Sequence, residues 1–240
     1  MCGLPMNRPS VVVFGATGAI GQALVDSFVT QGADVTAVSR SVKAATKPHV
    51  RALQWDGTAN VEALSAIAKG SVDAVVWSQG VNFSDDIHTF DLTKHQAMYD
   101  ANVTYILNSL QALIKKNSLA PSARLCVISS IWQNLAKQNK LSYCITKSAL
   151  QGLVQSLSIE LGALGYMINA VLPGALDTPM AHANLTGEQL TQLQAMTPLG
   201  TLATLEDVCN LVGFLCSKNN TGITGQFVAA DRGISLARII

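Results

Sequence analysis

The chain of 240 residues is 49% hydrophobic but only 13% charged, with a net charge of +1, which is about half the charge content usual for soluble domains. That composition excludes intrinsic disorder, and without a long basic run the chain lacks the electrostatic footprint that nucleic-acid binding needs. Every apolar run is cut by Gly, Ser, Thr, Asn or a charge before the ~18 residues of a membrane span, so no membrane partner is expected.

In chain order, Arg8 followed by the apolar stretch from Val11 resembles a weak signal peptide, but the glycines that follow assign the stretch another use. Short, nearly continuous apolar runs rich in β-branched residues occur at 11–14, 35–38, 52–55, 74–77, 125–128, 168–171 and 227–229. Such runs predict strands covered on both faces. Between them, Val103, Ile106, Leu107, Leu110, Leu113 and Ile114 at steps of three and four predict one buried-face helix. Leu150, Leu153, Leu157, Leu161 and Leu164 predict another, with Gly165 as its C-cap.

Strand and helix alternating through seven strands predict an α/β fold in one domain over residues 1–240. The expected sheet is doubly wound and parallel, with right-handed crossovers and helices on both faces. The stretch 173–202 falls outside the pattern except for a short helical segment near 187–196, and is expected to be a substrate lid.

The first strand runs directly into Gly15-Ala16-Thr17-Gly18-Ala19-Ile20-Gly21, and a helical pattern opens at once. Gly15 suits a tight turn, Gly18 lets backbone approach a pyrophosphate, and Gly21 allows close packing of the helix. The helix N-terminus adds amide donors and a positive dipole end, so a dinucleotide is the expected cofactor. At the end of the second strand, where a ribose without a 2′-phosphate would want a carboxylate, the chain has Ser39-Arg40-Ser41. A guanidinium there favours NADP(H) over NAD(H), the alternative being a solvated surface arginine. Asp56, just past the third strand, suits either the adenine amino group or the N-cap of the next helix.

Tyr143 and Lys147 lie four apart on a helical segment and share a face. A phenol of pKa about 10 is a poor acid or base at neutral pH, and a neighbouring ammonium favours its phenolate, which makes the pair a candidate proton donor and acceptor.

With the glycine turn, Asn102, Ser130, the Tyr143-Cys144-Ile145-Thr146-Lys147 run and Pro173-Gly174-Ala175-Leu176-Asp177-Thr178 in order, the chain resembles the short-chain dehydrogenase/reductase superfamily from about Val11 to its C-terminus. The resemblance implies a Rossmann-type fold and an NADP(H)-dependent oxidoreductase that interconverts a carbonyl and a secondary alcohol. It implies that Ser130 polarises the carbonyl, that Tyr143 is the acid/base and that Lys147 lowers the Tyr143 pKa and holds the nicotinamide ribose. Asn102 then positions a water in a proton relay. The thirteen-residue interval to Tyr143 selects Ser130 over its neighbour Ser129. Pro173, Gly174, Leu176 and Thr178 match the segment that holds the carboxamide.

Two departures from the family pattern stand out. Glycines at 15, 18 and 21 follow a spacing commoner in the extended, sugar-nucleotide-modifying branch, whose members generally carry a C-terminal substrate domain; the length supports the single-domain assignment. The usual Asn-Asn-Ala-Gly after the fourth strand is replaced by Trp77-Ser78-Gln79-Gly80, where Ser78 and Gly80 are still expected to border the cofactor. Two other readings go with these departures: a catalytically silent dinucleotide-binding regulatory or scaffold protein, and a dehydratase or epimerase.

The substrate pocket is expected between 81–87, 131–135 and 178–199, with Trp132, Leu135, Met180 and Met196 pointing to a partly apolar ligand. The five cysteines are odd in number, without a CxxC pair, and fit reduced thiols in the cytoplasm. His49, His88, His95 and His182 show no metal-ligand spacing, so no metal is expected. A Ser-His-Asp hydrolase lacks its G-x-S-x-G elbow. The helices over 103–114 and 150–164 match those through which family members assemble, so a homodimer or homotetramer is expected.

Overall fold

The computed structural model describes residues 8–41, 47–57, 61–178 and 186–237. Among them, seven strands form one sheet in the order β3-β2-β1-β4-β5-β6-β7. The strands are β1 Ser10–Phe14, β2 Asp34–Ser39, β3 Val50–Gln54, β4 Val72–Trp77, β5 Leu119–Ile128, β6 Met167–Pro173 and β7 Phe227–Ala230. Every pairing is parallel. Each expected strand is present. β5 begins earlier than its hydrophobicity suggests, and its register against β4 shifts between Val72 and Ala74.

The helices are α1 Ala19–Thr30, α2 Leu92–Tyr99, α3 Tyr105–Lys115, α4 Leu141–Gly162, α5 Gly187–Met196 and α6 Leu205–Leu215. They divide between the two faces of the sheet. One buried cluster joins Val11, Val13 and Val76 of the sheet to Leu24 and Phe28 of α1 and Val208 and Val212 of α6. The other joins Val12, Phe14 and Leu125 to Ile106 and Leu113 of α3 and Leu150 and Val154 of α4. Alternate residues of one strand thus feed opposite cores, which is why the strand runs are apolar throughout.

The helix over 103–114 differs from expectation at its start. A wide π turn, Asp100–Thr104, links α2 to α3 and shifts the register of the helical face. Leu107 is 46% exposed in spite of its place in the apolar pattern. Leu164 is likewise exposed, because α4 ends before it. The Gly165 amide donates to the Gly162 carbonyl and the Tyr166 amide to that of Leu161, with Gly165 at φ +78°, the left-handed turn that glycine accepts most readily. Beyond β6, α5 occupies its expected place, started by a reciprocal cap between Thr186 and Gln189. It buries no side chain, and Met196 is exposed. Cys2, Met180 and His182 lie outside the described residues, as does the part of the expected lid over 179–185.

Candidate active site

The chain leaves β1 for β2 and β3 on one side of the sheet and returns to β4 on the other, so the strand ends at β1 and β4 point into diverging loops. Crevices in doubly wound sheets open at this reversal. A cleft of about 830 Å³ lies there, bordered by Gly15, Thr17, Gly18, Ser39, Arg40, Asp56, Ser78 and Gly80 among the expected cofactor residues. Ala19, Ile20 and Gly21 form the first turn of α1 behind it. Pro173, Gly174, Leu176 and Thr178, at the exit of β6, do not border this cleft.

The glycine turn owes its shape to close approaches. A Cβ on Gly15 (φ +77°) would lie 2.4 Å from the Gln79 amide nitrogen, and one on Gly21 would lie 2.2 Å from the Gly15 carbonyl oxygen. Any side chain at either position would push the turn off β4 or lift α1 from it. Gly18 differs: a Cβ there would meet no atom closer than 3.5 Å, so its face is open toward the cleft at the helix N-terminus.

The substituted turn after β4 is anchored firmly. Trp77 is fully buried, stacks on Phe14 at 5.9 Å and donates from its indole nitrogen to the Ser109 hydroxyl at 2.8 Å. The Ser78 amide and hydroxyl both donate to the Phe14 carbonyl. Asp56 does not cap the next helix, whose N-cap is Val61, and its place is in the cleft wall.

Sequence reasoning missed Gly57, Thr104 and Tyr105, which also border the cleft. Tyr105 packs against Trp55 and Phe14, and its ring fills the space beside Gly57. Burial is the first cause of its raised phenol pKa, with the Asp56 charge next. The π turn that brings Thr104 and Tyr105 here has no signature in hydrophobic periodicity.

The four expected catalytic residues converge beyond Gly80. A Cβ on Gly80 would lie 3.1 Å from Asn102 Oδ1 and 3.9 Å from Lys147 Nζ. Asn102, 1% exposed on the π turn, accepts from the Val81 amide and donates to the Val81 carbonyl and the Thr146 hydroxyl. Lys147 donates to the Ile128 carbonyl at 3.1 Å and lies 5.7 Å from the Tyr143 ring centroid. Burial pushes its ammonium down to about 8.

Burial raises the Tyr143 phenol above its ordinary value, and a hydrogen bond with Ser130 acts in the opposite sense. Desolvation dominates there, and the ammonium sits over the ring. Ser130 also accepts from the Trp132 amide, whereas the Ser129 hydroxyl is committed to Gln133 Oε1.

A family model described as enoyl-(acyl carrier protein) reductase matches residues 15–235. A 3alpha-hydroxysteroid dehydrogenase of Mediterraneibacter gnavus is 30% identical over 243 residues, covering 94% of this chain and 96% of the relative. The chain belongs to the short-chain dehydrogenase/reductase superfamily. An Escherichia coli 3-oxoacyl-[acyl-carrier-protein] reductase is a further relative, 24% identical, with 93% of this chain and 96% of the relative covered. Among solved structures, the ligand-free aldohexose dehydrogenase of Thermoplasma acidophilum shares the fold at a TM-score of 0.87 and 22% identity, covering 98% of this chain and 96% of that one. A short-chain dehydrogenase/reductase from Burkholderia thailandensis does so at 0.85 and 28%, covering 97% and 94%.

Members of this oxidoreductase superfamily bind nicotinamide dinucleotides, and the residues present fit one. The Gly18 face is open at a helix N-terminus, Arg40 and Asp56 both border the cleft, and Lys147 lies beyond Gly80. No cluster of three or more metal-ligating side chains occurs among the described residues, and no helix among them is long and apolar enough to cross a membrane.

Proposed function

We propose that this chain is an NADP(H)-dependent oxidoreductase that interconverts a carbonyl and a secondary alcohol. The observation that carries the reading is the convergence of Ser130, Tyr143, Lys147 and Asn102 beyond Gly80, at the edge of a cleft bordered by Arg40. The cofactor supplies or accepts the hydride. Ser130 donates a hydrogen bond to the substrate oxygen, and the Tyr143 hydroxyl delivers the proton in reduction or receives it in oxidation. Lys147 holds the nicotinamide ribose, while Asn102, through its three bonds to Val81 and Thr146, fixes the wall that carries Gly80 and the water of the relay. Arg40 pairs with the 2′-phosphate, and Pro173, Gly174, Leu176 and Thr178 hold the carboxamide.

The substrate enters beside Ile131 and Trp132, which follow Ser130 directly, and this favours an apolar ketone or alcohol. The segment 173–202 acts as the lid. Exposed Leu107 on α3 and Ile159 on α4 support assembly as a homodimer or homotetramer, and the unpaired thiols of Cys126, Cys144, Cys209 and Cys216 support a cytoplasmic setting.

The test supplies NADPH with cyclic ketones and 3-oxoacyl thioesters and follows its absorbance. Turnover that is lost in Tyr143→Phe while NADPH binding persists is the expected result. Absence of both turnover and NADPH binding in the native protein would overturn the reading.

A further inference from the structure

Gln79 occupies the position in the β4 turn where the superfamily pattern has alanine. Both polar atoms of its side-chain amide, Nε2 and Oε1, are shielded from solvent and have no hydrogen-bond partner. They are the only buried side-chain polar atoms in that condition among the described residues. Leaving a buried donor or acceptor unbonded destabilises a fold, and native structures do so rarely. Alanine or methionine would fill this position without that cost, so packing does not account for a glutamine.

The residue borders the dinucleotide cleft, and its backbone nitrogen abuts Gly15 of the phosphate turn. Its neighbour Gly80 leads to Asn102 and Lys147. Gln79 therefore stands between the part of the cleft that suits phosphates and the part that suits the reacting ring. In a dinucleotide that interval is occupied by ribose.

We propose that Gln79 is a cofactor-binding residue whose amide swings into the cleft and hydrogen-bonds a ribose hydroxyl. Nε2 donates to the hydroxyl oxygen and Oε1 accepts from a hydroxyl hydrogen. A hydroxyl satisfies both halves of the amide, whereas a phosphate oxygen at neutral pH satisfies only the donor. The swing takes a change of χ1 or χ2 between staggered rotamers, and the soft terminal torsion then aligns the amide with the hydroxyl. The protein alone carries the unbonded amide as a local destabilisation, and binding relieves it. The inference rests on the cleft being a dinucleotide site.

The test measures ADP-ribose binding by titration calorimetry, and thermal unfolding of the protein alone, for the native chain, Gln79→Met and Gln79→Glu. Methionine keeps the volume and removes both polar atoms. The expected result for Gln79→Met is binding weakened by roughly 10- to 100-fold, with a midpoint unchanged or raised by about 2–4 °C. Gln79→Glu is expected to bind more tightly than Gln79→Met, because a carboxylate still accepts from a hydroxyl. Binding within threefold of native in Gln79→Met, or a lowered midpoint, would overturn the proposal. A glutamate variant weaker than the methionine variant would assign the amide to a phosphate and overturn the ribose assignment. Failure of the native protein to bind either ADP-ribose or NADPH would instead overturn the dinucleotide reading beneath it.

Discussion

Within the cleft and beyond Gly80 at its edge, two groups of side chains are held in opposite ways. Asn102, Ser130 and Lys147 spend their hydrogen bonds on the protein: on Val81 and Thr146, on the Trp132 amide and Tyr143, and on the Ile128 carbonyl. The dinucleotide end offers an open glycine face at Gly18, a guanidinium at Arg40 and the unbonded amide of Gln79. In the proposed reaction, proton transfer tolerates little misplacement, which suits groups fixed by protein hydrogen bonds. A site that grips a long, polar ligand keeps bonding capacity in reserve and completes it on binding. The chemical end should therefore fail in rate or fold when altered, and the dinucleotide end in affinity.

The largest effect expected is in Tyr143→Phe, which removes the transferable proton and leaves the ring in place. Turnover should fall by 10³-fold or more while the NADPH dissociation constant stays within about threefold, as steady-state kinetics and fluorescence titration would show. An equal loss of affinity would erase the division between the two ends.

Next in size is Asp85, 6% exposed, which accepts from the Ser142 amide at 3.0 Å and from the Ser142 hydroxyl, one residue before Tyr143. His95 Nδ1 lies 2.8 Å from the same hydroxyl, and the Leu141 amide donates to the Asp85 carbonyl. The loop after β4 is thereby tied to the start of α4. Replacing Asp85 by alanine strands buried donors and should cost about 2–4 kcal/mol in urea unfolding, with a fall in turnover. A change below about 0.5 kcal/mol would mean that the chemical end is not held by this tie.

At the opposite end, Arg40→Ala should weaken NADPH binding by roughly 10- to 100-fold and leave NADH binding nearly unchanged, the difference shrinking as salt is raised. Equal losses for both cofactors would detach Arg40 from the 2′-phosphate.

The glycine turn and the Tyr143 to Lys147 pair were legible in the sequence because their geometry is local: a strand, a turn and a helix follow one another, and positions four apart share a helical face. Asn102 and Ser130 became legible through the superfamily's spacing, since nothing in their own neighbourhood separates them from other buried polar residues. The π turn at Asp100–Thr104 escaped because a single wide turn leaves the apolar count of a helix intact, and the exposure of Leu107 escaped because periodicity does not show how wide a stripe of α3 is covered. The raised phenol of Tyr143 escaped for another reason. Sequence places an ammonium near the phenol but does not show how far the fold desolvates that phenol.

The smallest effect bears on how the chemical end is balanced electrostatically. Burial lowers Lys147 from 10.5 to about 8, so between those values the unfolded chain holds a proton that the folded one has released. Stability then rises with pH through that window, and below about pH 8 the folded protein carries the full cost of a buried ammonium, up to about 3 kcal/mol. Burial acts in the opposite sense on Cys209, raised from 9.0 to about 11, so its unfolded form loses a proton first and stability declines above about pH 9. The measurement therefore belongs between about pH 8 and 9, in parallel urea titrations of the native chain and Lys147→Met. The native protein should gain up to about 1 kcal/mol over that interval relative to the variant. Parallel curves would mean that Lys147 stays charged throughout, with the Ile128 carbonyl and the Tyr143 ring compensating its burial. The ammonium would then be stabilised before the cofactor arrives, as the other groups of the chemical end are.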